Sequence, residues 1–217
     1  MIDLYTAPTP DGWKVSIALE ELRLPYIVHP VDACSDPQLA PDFLRIRPCG
    51  CVPAIVDRTA GDHAVIESRA ILLYLADKTG RLMPRDEAGR ARVEQWLATD
   101  FANPVSGGVS ALTRRVTSDP AGNGGASRSE LRALFARLDA QLQADEYLAG
   151  DFSIADIAQW ACVRMHAWSG IDMTPYRALA RWIERISARE ACRRGVSVPR
   201  PFEPAEQVYR VKSILLR

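Results

Sequence analysis

Apolar residues in the first 80 positions alternate between short runs and helical periodicity. The runs predict four strands, and apolar residues spaced three and four apart predict helices between and after them. The turn-forming segment RTAGD, which contains Gly61, separates the last two runs and predicts a hairpin. The predicted order is β-α-β-α-β-β-α, with strands at 2–6, 25–32, 52–57 and 63–67 and helices at 13–22, 41–47 and 68–80.

Beyond this region the strand pattern disappears. The charged segment 81–89 predicts a linker, and helical periodicity then continues over 90–117, 129–143 and 176–188. Pro104 and the pair Gly107-Gly108 are expected to interrupt the first of these helices, and the glycine-rich segment 119–128 predicts a mobile loop. We therefore expect an α/β domain over 1–80 and an all-helical domain over 90–217, whose tail is either a packed arm or partly disordered.

The segment FSIADI, residues 152–157, carries the sharpest local signal of the second domain. Ser153 is placed to cap a helix, and Asp156 stands three residues later, where its carboxylate reaches back to the amide of Ser153. Phe152 and Ile157 have the spacing of a hydrophobic staple. This pattern predicts the start of a buried helix and a structural role for Asp156.

Composition and charge narrow the function. The 217 residues contain 27 basic and 27 acidic side chains, and this balance disfavours nucleic-acid or anionic-membrane binding, which requires a basic field. No apolar run approaches the roughly 20 residues of a membrane span, and the start of the chain does not resemble a signal peptide. The five cysteines form neither a disulfide framework nor a metal-ligand cluster. We expect a cytoplasmic protein with reduced thiols and no metal.

Four stretches carry a resemblance to a known family: LYTAPTPDGWKV, GCVPAIVD, ESRAILLYLADKTGRLMP and YLAGDFSIADIAQW. Over roughly residues 1–200 the chain resembles the cytosolic glutathione transferases, and it is most similar to the bacterial nu class. The resemblance implies a thioredoxin-like, glutathione-binding domain at 1–80, a linker at 81–89, an all-α bundle at 90–217 and a homodimer. Members of the nu class resemble enzymes that reduce disulfides or peroxides with glutathione.

The resemblance implies a set of glutathione-binding residues. A helix N-terminus suits the γ-glutamyl carboxylate, with the Ser68 hydroxyl as a further donor and Glu67 as the acceptor for the amine. Val52 and Pro53 would form a cis peptide bond, which turns the Val52 backbone toward the ligand. Without the family context, Ser68 reads as a helix cap and Pro53 as the start of a strand. The full implied set is Gln38, Cys51, Val52, Pro53, Glu67, Ser68 and Arg69.

The opening stretch would hold the thiol of glutathione. The candidate hydroxyl donors to sulfur are Thr9, Thr6 and Tyr5, and the nu-class pattern favours Thr9. Thr9 followed by Pro10 is also a strong helix N-cap, so a structural role competes with the catalytic one. We assign Thr9 and Asp11 to the catalytic part of the site.

The chain departs from the family at three positions. Asp11 stands where an asparagine is usual, and a carboxylate repels a thiolate unless it turns toward solvent or Lys14. Cys51 stands where a basic residue is expected, so that Lys14, Arg47 or Arg69 would have to replace it. Arg69 itself occupies a usual glycine position and is placed to crowd the ligand.

Two further expectations remain open. Either one of Cys49 and Cys51 forms a mixed disulfide with glutathione, or the pair stores two electrons as a strained disulfide, or both are incidental thiols, which the spacing favours. The second-substrate pocket is expected to include Tyr5, Trp96 and Asn103, although Trp96 alternatively belongs to the core.

These features favour a glutathione-dependent transferase, or a disulfide or peroxide reductase, that stabilises the thiolate of glutathione. Its partners would be glutathione and a small electrophile or disulfide, not nucleic acid or membrane. The alternative is a non-catalytic ligand-binding protein of the same fold. A third outcome is that Arg69 or Cys51 blocks the groove for glutathione.

Overall fold

The computed structural model describes residues 1–31, 41–48, 50–101, 125–164, 166 and 171–201. The chain divides into two compact units. The first contains Met1–Leu82 and a segment that begins at Arg189, and the second extends from Met83 to Ala188.

A four-stranded sheet forms the centre of the first unit. The strands are β1 (Ile2–Thr6), β2 (Tyr26–Pro30), β3 (Ala54–Asp57) and β4 (His63–Ile66), and their order in the sheet is β2-β1-β3-β4. β1 pairs with β2 in parallel and with β3 in antiparallel orientation, and β3 pairs antiparallel with β4. The predicted hairpin and the predicted order of elements along the chain are therefore confirmed.

Three helices connect or follow these strands: α1 (Pro10–Leu22), α2 (Pro41–Ile46) and α3 (Ser68–Thr79). β3 is buried at every position, whereas the edge strand β4 is largely exposed. Central strands covered on both faces are typically continuous apolar runs, and the sequence AIVD of β3 follows that rule with its terminal Asp57 as the exception.

Asp57 is fully buried and accepts four hydrogen bonds. The donors are the backbone and hydroxyl of Thr59, the Tyr74 hydroxyl at 2.7 Å and the Lys78 ammonium at 2.7 Å. Burial alone would raise the pKa of this carboxyl, but these donors, with Lys78 foremost, outweigh it and hold the pKa well below its ordinary value. The network joins the end of β3 to the last turn of α3.

A C-terminal helix, α8 (Glu190–Gly195), belongs to the first unit because it packs on α1. The Ser16 hydroxyl donates to the Gly195 carbonyl at 2.7 Å, and Arg189 forms a bidentate ion pair with Glu21. A Cβ at Gly195 would lie 2.7 Å from the Ile17 backbone, so only glycine allows this approach. The sequence prediction grouped α8 with the helical domain, since a long-range contact leaves no trace in local periodicity.

Among the residues that the structure describes, the helices of the second unit are joined by turns and one isolated β-bridge between Tyr147 and Gly150. Its helices are α4 (Glu87–Phe101), α5 (Gly125–Ala144), α6 (Ile154–Val163) and α7 (Arg177–Ser187). α5 begins at Gly125, inside the segment predicted as a mobile loop, and the predicted interruptions at Pro104 and Gly107-Gly108 lie outside the described residues. Every residue of α6 is buried, which makes it the central helix of this unit.

The capping box predicted at the start of α6 is confirmed. The Ser153 hydroxyl accepts from the Ala155 amide at 3.2 Å, and the Asp156 carboxylate accepts from the Ser153 amide at 3.1 Å. Asp156 also accepts from the Leu148 amide at 3.0 Å and the Trp182 indole at 2.9 Å. Burial raises the pKa of Asp156 to about 6, against the opposing effect of these donors.

No helix within the described ranges is long and apolar enough to cross a membrane.

Candidate functional site

Thr9 occupies the turn between β1 and α1. Its hydroxyl accepts a hydrogen bond from the Gly12 amide at 3.1 Å, and Pro10 follows at the first helical position. A hydroxyl has one hydrogen and two lone pairs, so acceptance from Gly12 leaves the hydrogen available to a ligand. The cap and the sulfur-donor roles that the sequence set against each other are therefore compatible.

Gly12 fixes the shape of this turn. A Cβ there would collide with the carbonyl oxygen of Ala7 and would lie 2.5 Å from the Thr6 hydroxyl oxygen. Thr6 itself is buried and points its hydroxyl at the Ala7 carbonyl. Thr9 is only half-buried, which leaves it as the more accessible of the two threonine hydroxyls.

Asp11 is paired with a buried cation. Its Oδ1 atom accepts from the Lys14 ammonium at 2.9 Å, and the Lys14 side chain is 1% exposed. The same oxygen accepts from the Ser68 hydroxyl at 3.0 Å. The sequence left the orientation of Asp11 open, and the structure turns it toward Lys14 and the first residue of α3. Asp11 thus bridges the starting turns of α1 and α3.

Glu67 stands immediately before α3 in an unusual conformation. Its φ of 70° lies in the left-handed region, and its side chain gives the first turn of α3 no capping hydrogen bond. Instead, its Oε1 atom accepts from the Arg47 guanidinium at 2.7 Å. Arg47 is 8% exposed, so the cation that holds the Glu67 carboxylate is buried.

Ser68 donates its single hydroxyl hydrogen to Asp11. Its expected role as a donor to the ligand carboxylate stays a prediction, and it would require the hydroxyl to leave Asp11. The backbone N–H groups in the first turn of α3 could donate to the ligand carboxylate without any change at Asp11.

The peptide bond between Val52 and Pro53 is cis, as the resemblance implied. Val52 is half-buried and packs against the cluster of Val31, Phe43 and Ala54. Cys51 precedes it as an exposed thiol. Gln38 and Cys49, which the sequence also singled out, lie outside the described residues.

The residues assigned to a second-substrate pocket lie in different units or outside the described residues. Tyr5 stacks between His29 and Phe43, with ring centroids 4.6 and 5.3 Å away. Trp96, in the second unit, is 7% exposed and has the Arg137 guanidinium 4.9 Å from its ring centroid. Asn103 falls outside the described part of the chain. The pocket therefore stays a prediction.

Two cations predicted as replacements for a basic residue at position 51 have other partners. Lys14 pairs with Asp11 and Arg47 pairs with Glu67, while Arg69 is half-buried beside Ser68. From the sequence, Lys14 or solvent was expected for Asp11, but the pair between Arg47 and Glu67, which stand 20 positions apart, was missed.

Comparison with known proteins decides the family. The Glutathione S-transferase N-terminal domain matches residues 10–78, and the Glutathione S-transferase C-terminal domain matches residues 125–190. The disulfide-bond oxidoreductase YfcG of Escherichia coli is 37% identical over 198 residues, which cover 88% of this chain and 92% of that protein. The chain belongs to the glutathione S-transferase family.

Solved glutathione transferases share this fold. A family member from Pseudomonas fluorescens, with two glutathione bound, has a TM-score of 0.80 at 34% identity and covers 90% of this chain and 92% of its own. A glutathione transferase from Pseudomonas putida, with one glutathione disulfide bound per subunit, has a TM-score of 0.80 at 31% identity and 91% coverage of each chain. The predicted thioredoxin-like domain and helical bundle are confirmed.

Proposed function

We propose that this glutathione transferase family member binds glutathione in its first unit, favours the thiolate, and uses it to reduce disulfides. The observation that carries the proposal is the pairing of two helix starts. The start of α1 presents a hydroxyl whose hydrogen is available, and the start of α3 has no capping bond from Glu67.

The Thr9 hydroxyl would donate to the sulfur. A free thiol with a pKa near 8.5 is only about 3% ionised at pH 7. To make it mostly thiolate, the site must lower that pKa by about two units, or about 2.7 kcal/mol. One hydroxyl hydrogen bond together with the positive end of the α1 dipole supplies stabilisation of this order. Thr9 acts as a donor and not as a base, because its hydroxyl is far too weak an acid to ionise.

The rest of the tripeptide would run past Val52 toward the start of α3. The γ-glutamyl carboxylate suits the backbone N–H groups at the start of α3, where the helix dipole favours an anion. The cysteinyl backbone would pair with Val52, next to the cis Pro53, as an added strand pairs with a sheet edge. Both contacts use the backbone, so the replacements at Cys51 and Arg69 do not remove them.

Disulfide reduction is favoured by two kinds of relatives. YfcG and YghU of Escherichia coli are named disulfide-bond oxidoreductases, and solved relatives hold two glutathione molecules or one glutathione disulfide per subunit. In the proposed reaction, a glutathione thiolate attacks one substrate sulfur and the other sulfur leaves as a thiolate. A second glutathione then attacks the mixed disulfide and releases glutathione disulfide and the reduced substrate. Conjugation of glutathione to an electrophile uses the same thiolate.

We further propose that the protein acts as a cytoplasmic homodimer. A reduced glutathione pool, which this chemistry consumes, is typical of the cytosol. Size-exclusion chromatography with light scattering would give twice the 24.0 kDa chain mass if the dimer forms.

Calorimetry with glutathione and with glutathione disulfide tests the binding, followed by turnover assays with a model disulfide and a model aryl halide. Thr9→Val removes the hydroxyl at nearly constant volume, and we expect it to lower disulfide turnover by about tenfold or more. Thr79→Val is a matched control, since its hydroxyl bonds only within α3, to the Leu75 and Ala76 carbonyls. Binding without turnover would favour the non-catalytic alternative, and no binding would reject the proposal.

A further inference from the structure

A cavity of about 430 Å³ lies at the C-terminal end of α1, within the first unit. Four arginines and three glutamates line it, contributed by the end of α1, the segment after α3 and the start of α8. Its volume is typical of pockets that bind small molecules. Thr9 and Arg23 cap opposite ends of the 13-residue α1, which spans about 20 Å, so the cavity is separate from the turn that carries Thr9.

Two of the glutamates in this cavity are fully engaged by the protein. Both carboxylate oxygens of Glu21 accept from the Arg189 guanidinium, at 2.5 and 2.9 Å. The two oxygens of Glu20 accept from the Tyr26 hydroxyl at 2.6 Å and from Arg194 at 2.6 Å. Glu20 and Glu21 are only 18% and 11% exposed, so these neutralised carboxylates form the inner part of the wall.

Two of the arginines keep N–H donors that the protein does not use. A guanidinium has five N–H groups. Arg81 gives one from each Nη atom to the carbonyls of Leu22 and Glu21, at 3.2 and 3.1 Å, which leaves its Nε–H and one N–H on each Nη. The guanidinium of the exposed Arg23 has no partner among the described residues. Arg81 bonds the residue directly before Arg23, and both arginines line the same cavity.

The backbone of Arg23 is unusual for a residue with a side chain. It is the C-cap of α1 and has a φ of 55°, in the left-handed region where glycine is the usual residue. The C-terminal end of a helix also disfavours an anion, but here Arg81 occupies two of the last carbonyls and offsets their partial charge. A strained arginine without a protein partner is consistent with a contact to a ligand.

Planar guanidinium groups match the oxygens of phosphates and carboxylates, to which they donate paired hydrogen bonds. We propose that this cavity is a second ligand site, in which Arg23 and Arg81 bind the phosphate or carboxylate group of a small polar molecule. Binding here does not require glutathione, so the site is independent of the proposed function.

The other lining residues restrict the kind of molecule. Four arginines against three glutamates leave an excess of one positive charge, which suits a single oxyanion and not a long polyanion. The third glutamate, Glu190, pairs with Arg194 and is 75% exposed, so it offers an acceptor at the mouth of the cavity. Among the described residues that line the cavity, only Ala191 is apolar, and the body of the ligand is therefore polar.

Calorimetry in a phosphate-free buffer tests the site with glycerol phosphate, glycerate and glycerol. The first two carry a phosphate or a carboxylate on the same polyol skeleton, and glycerol carries neither. We expect the wild-type protein to bind at least one charged ligand at a single site, at least about tenfold more tightly than glycerol, the range of a charge-assisted hydrogen bond. The tighter of the two charged ligands identifies the oxyanion that the site prefers.

Arg23→Gln removes the charge and keeps a polar side chain, and we expect it to weaken the tighter ligand by about tenfold. Arg181→Gln is the matched control, since Arg181 is an exposed arginine of α7 in the second unit and has no partner among the described residues. It should leave the affinity within about twofold, because it changes the net charge without touching the cavity. Melting temperatures verify that both variants are folded.

Several results would overturn the inference. Equal weakening in the two variants would indicate a general charge effect, and an unchanged affinity in Arg23→Gln would mean that the ligand binds elsewhere. Absence of saturable binding of both charged ligands up to about 10 mM, or equal binding of glycerol, would overturn it with the wild-type protein alone.

Discussion

The starts of α3 and α6 show two opposite ways to treat a helix N-terminus. At α6, Ser153 and Asp156 close the end with reciprocal hydrogen bonds, and both residues are buried. At α3, Glu67 provides no cap and its carboxylate is held by Arg47 instead. A closed end has its donors satisfied within the protein and stabilises the fold, whereas an open end leaves its donors for a ligand.

The carboxylates of the two regions differ in the same way. Asp156 is fully buried and accepts from donors that all belong to the protein. Asp11 is 41% exposed and has one oxygen engaged, by Lys14 and Ser68. Asp156 is thus enclosed by protein donors, whereas Asp11 is in part open to solvent.

The largest expected effect is a loss of unfolding free energy when Asp156, at the capped start of α6, is replaced. Asp156→Ala leaves the donors of Leu148, Ser153 and Trp182 buried without an acceptor, and each such donor costs about 1–3 kcal/mol. We expect the free energy of unfolding, measured by urea titration, to fall by about 3 kcal/mol or more. Glu67→Gln at the open end should change it by less than about 1 kcal/mol, since the exposed amide can still accept from Arg47. Similar losses in the two variants would contradict the comparison.

The pH dependence of the unfolding free energy provides a second test of the structural role of Asp156. The pKa of Asp156 is raised to about 6 in the folded protein, above its ordinary value near 3.9, so the folded state holds the proton more tightly. Its contribution to stability is fully present below about pH 4 and is lost as the pH rises through 6, by about 2–3 kcal/mol. The difference in unfolding free energy between wild type and Asp156→Asn should fall over this window.

Asp57 is the matched control for that series, because it is equally buried but is paired with Lys78. Its pKa is lowered on folding, so its contribution is present above its ordinary value and is lost as the pH falls. The difference curve for Asp57→Asn should therefore have the opposite slope, at pH below about 4. Slopes of the same sign for the two variants would contradict the opposite pKa shifts of Asp156 and Asp57.

The smallest expected effects come from a matched pair of serines. Ser153→Ala removes an N-cap and should lower the free energy of unfolding by about 1 kcal/mol, with unchanged glutathione affinity. Ser68→Ala should do the reverse and weaken glutathione by about fivefold with little loss of stability. Urea titration and calorimetry on both proteins measure the two quantities, and a stability loss confined to Ser68→Ala would break the comparison.

Sequence reasoning reached the local features of the fold and fell short at the long-range ones. The capping box at Ser153 was predictable because both partners lie within four residues, and the hairpin was predictable from the turn at Gly61. The packing of α8 on α1 was not, since the Ser16–Gly195 contact joins residues 179 positions apart. The Trp182 bond to Asp156 was missed for the same reason.

In the candidate site, too, local features were predictable from the sequence and contacts between distant residues were not. The cap at Thr9 follows from the adjacent Pro10, and the start of α3 follows from the pattern at Ser68. The Asp11–Ser68 contact joins two helices and has no signature in either segment. The sequence named candidate residues for the site, but not the contact between Asp11 and Ser68.

The most direct test of the account is the ionisation of glutathione bound to the wild-type protein. Thiolate absorbance in the ultraviolet, titrated against pH with the ligand saturated, gives the pKa of the bound thiol. The account predicts a value about two units below that of free glutathione, and a return toward the free value in Thr9→Val. A bound thiol that titrates like the free one would contradict the claim that this site stabilises the thiolate.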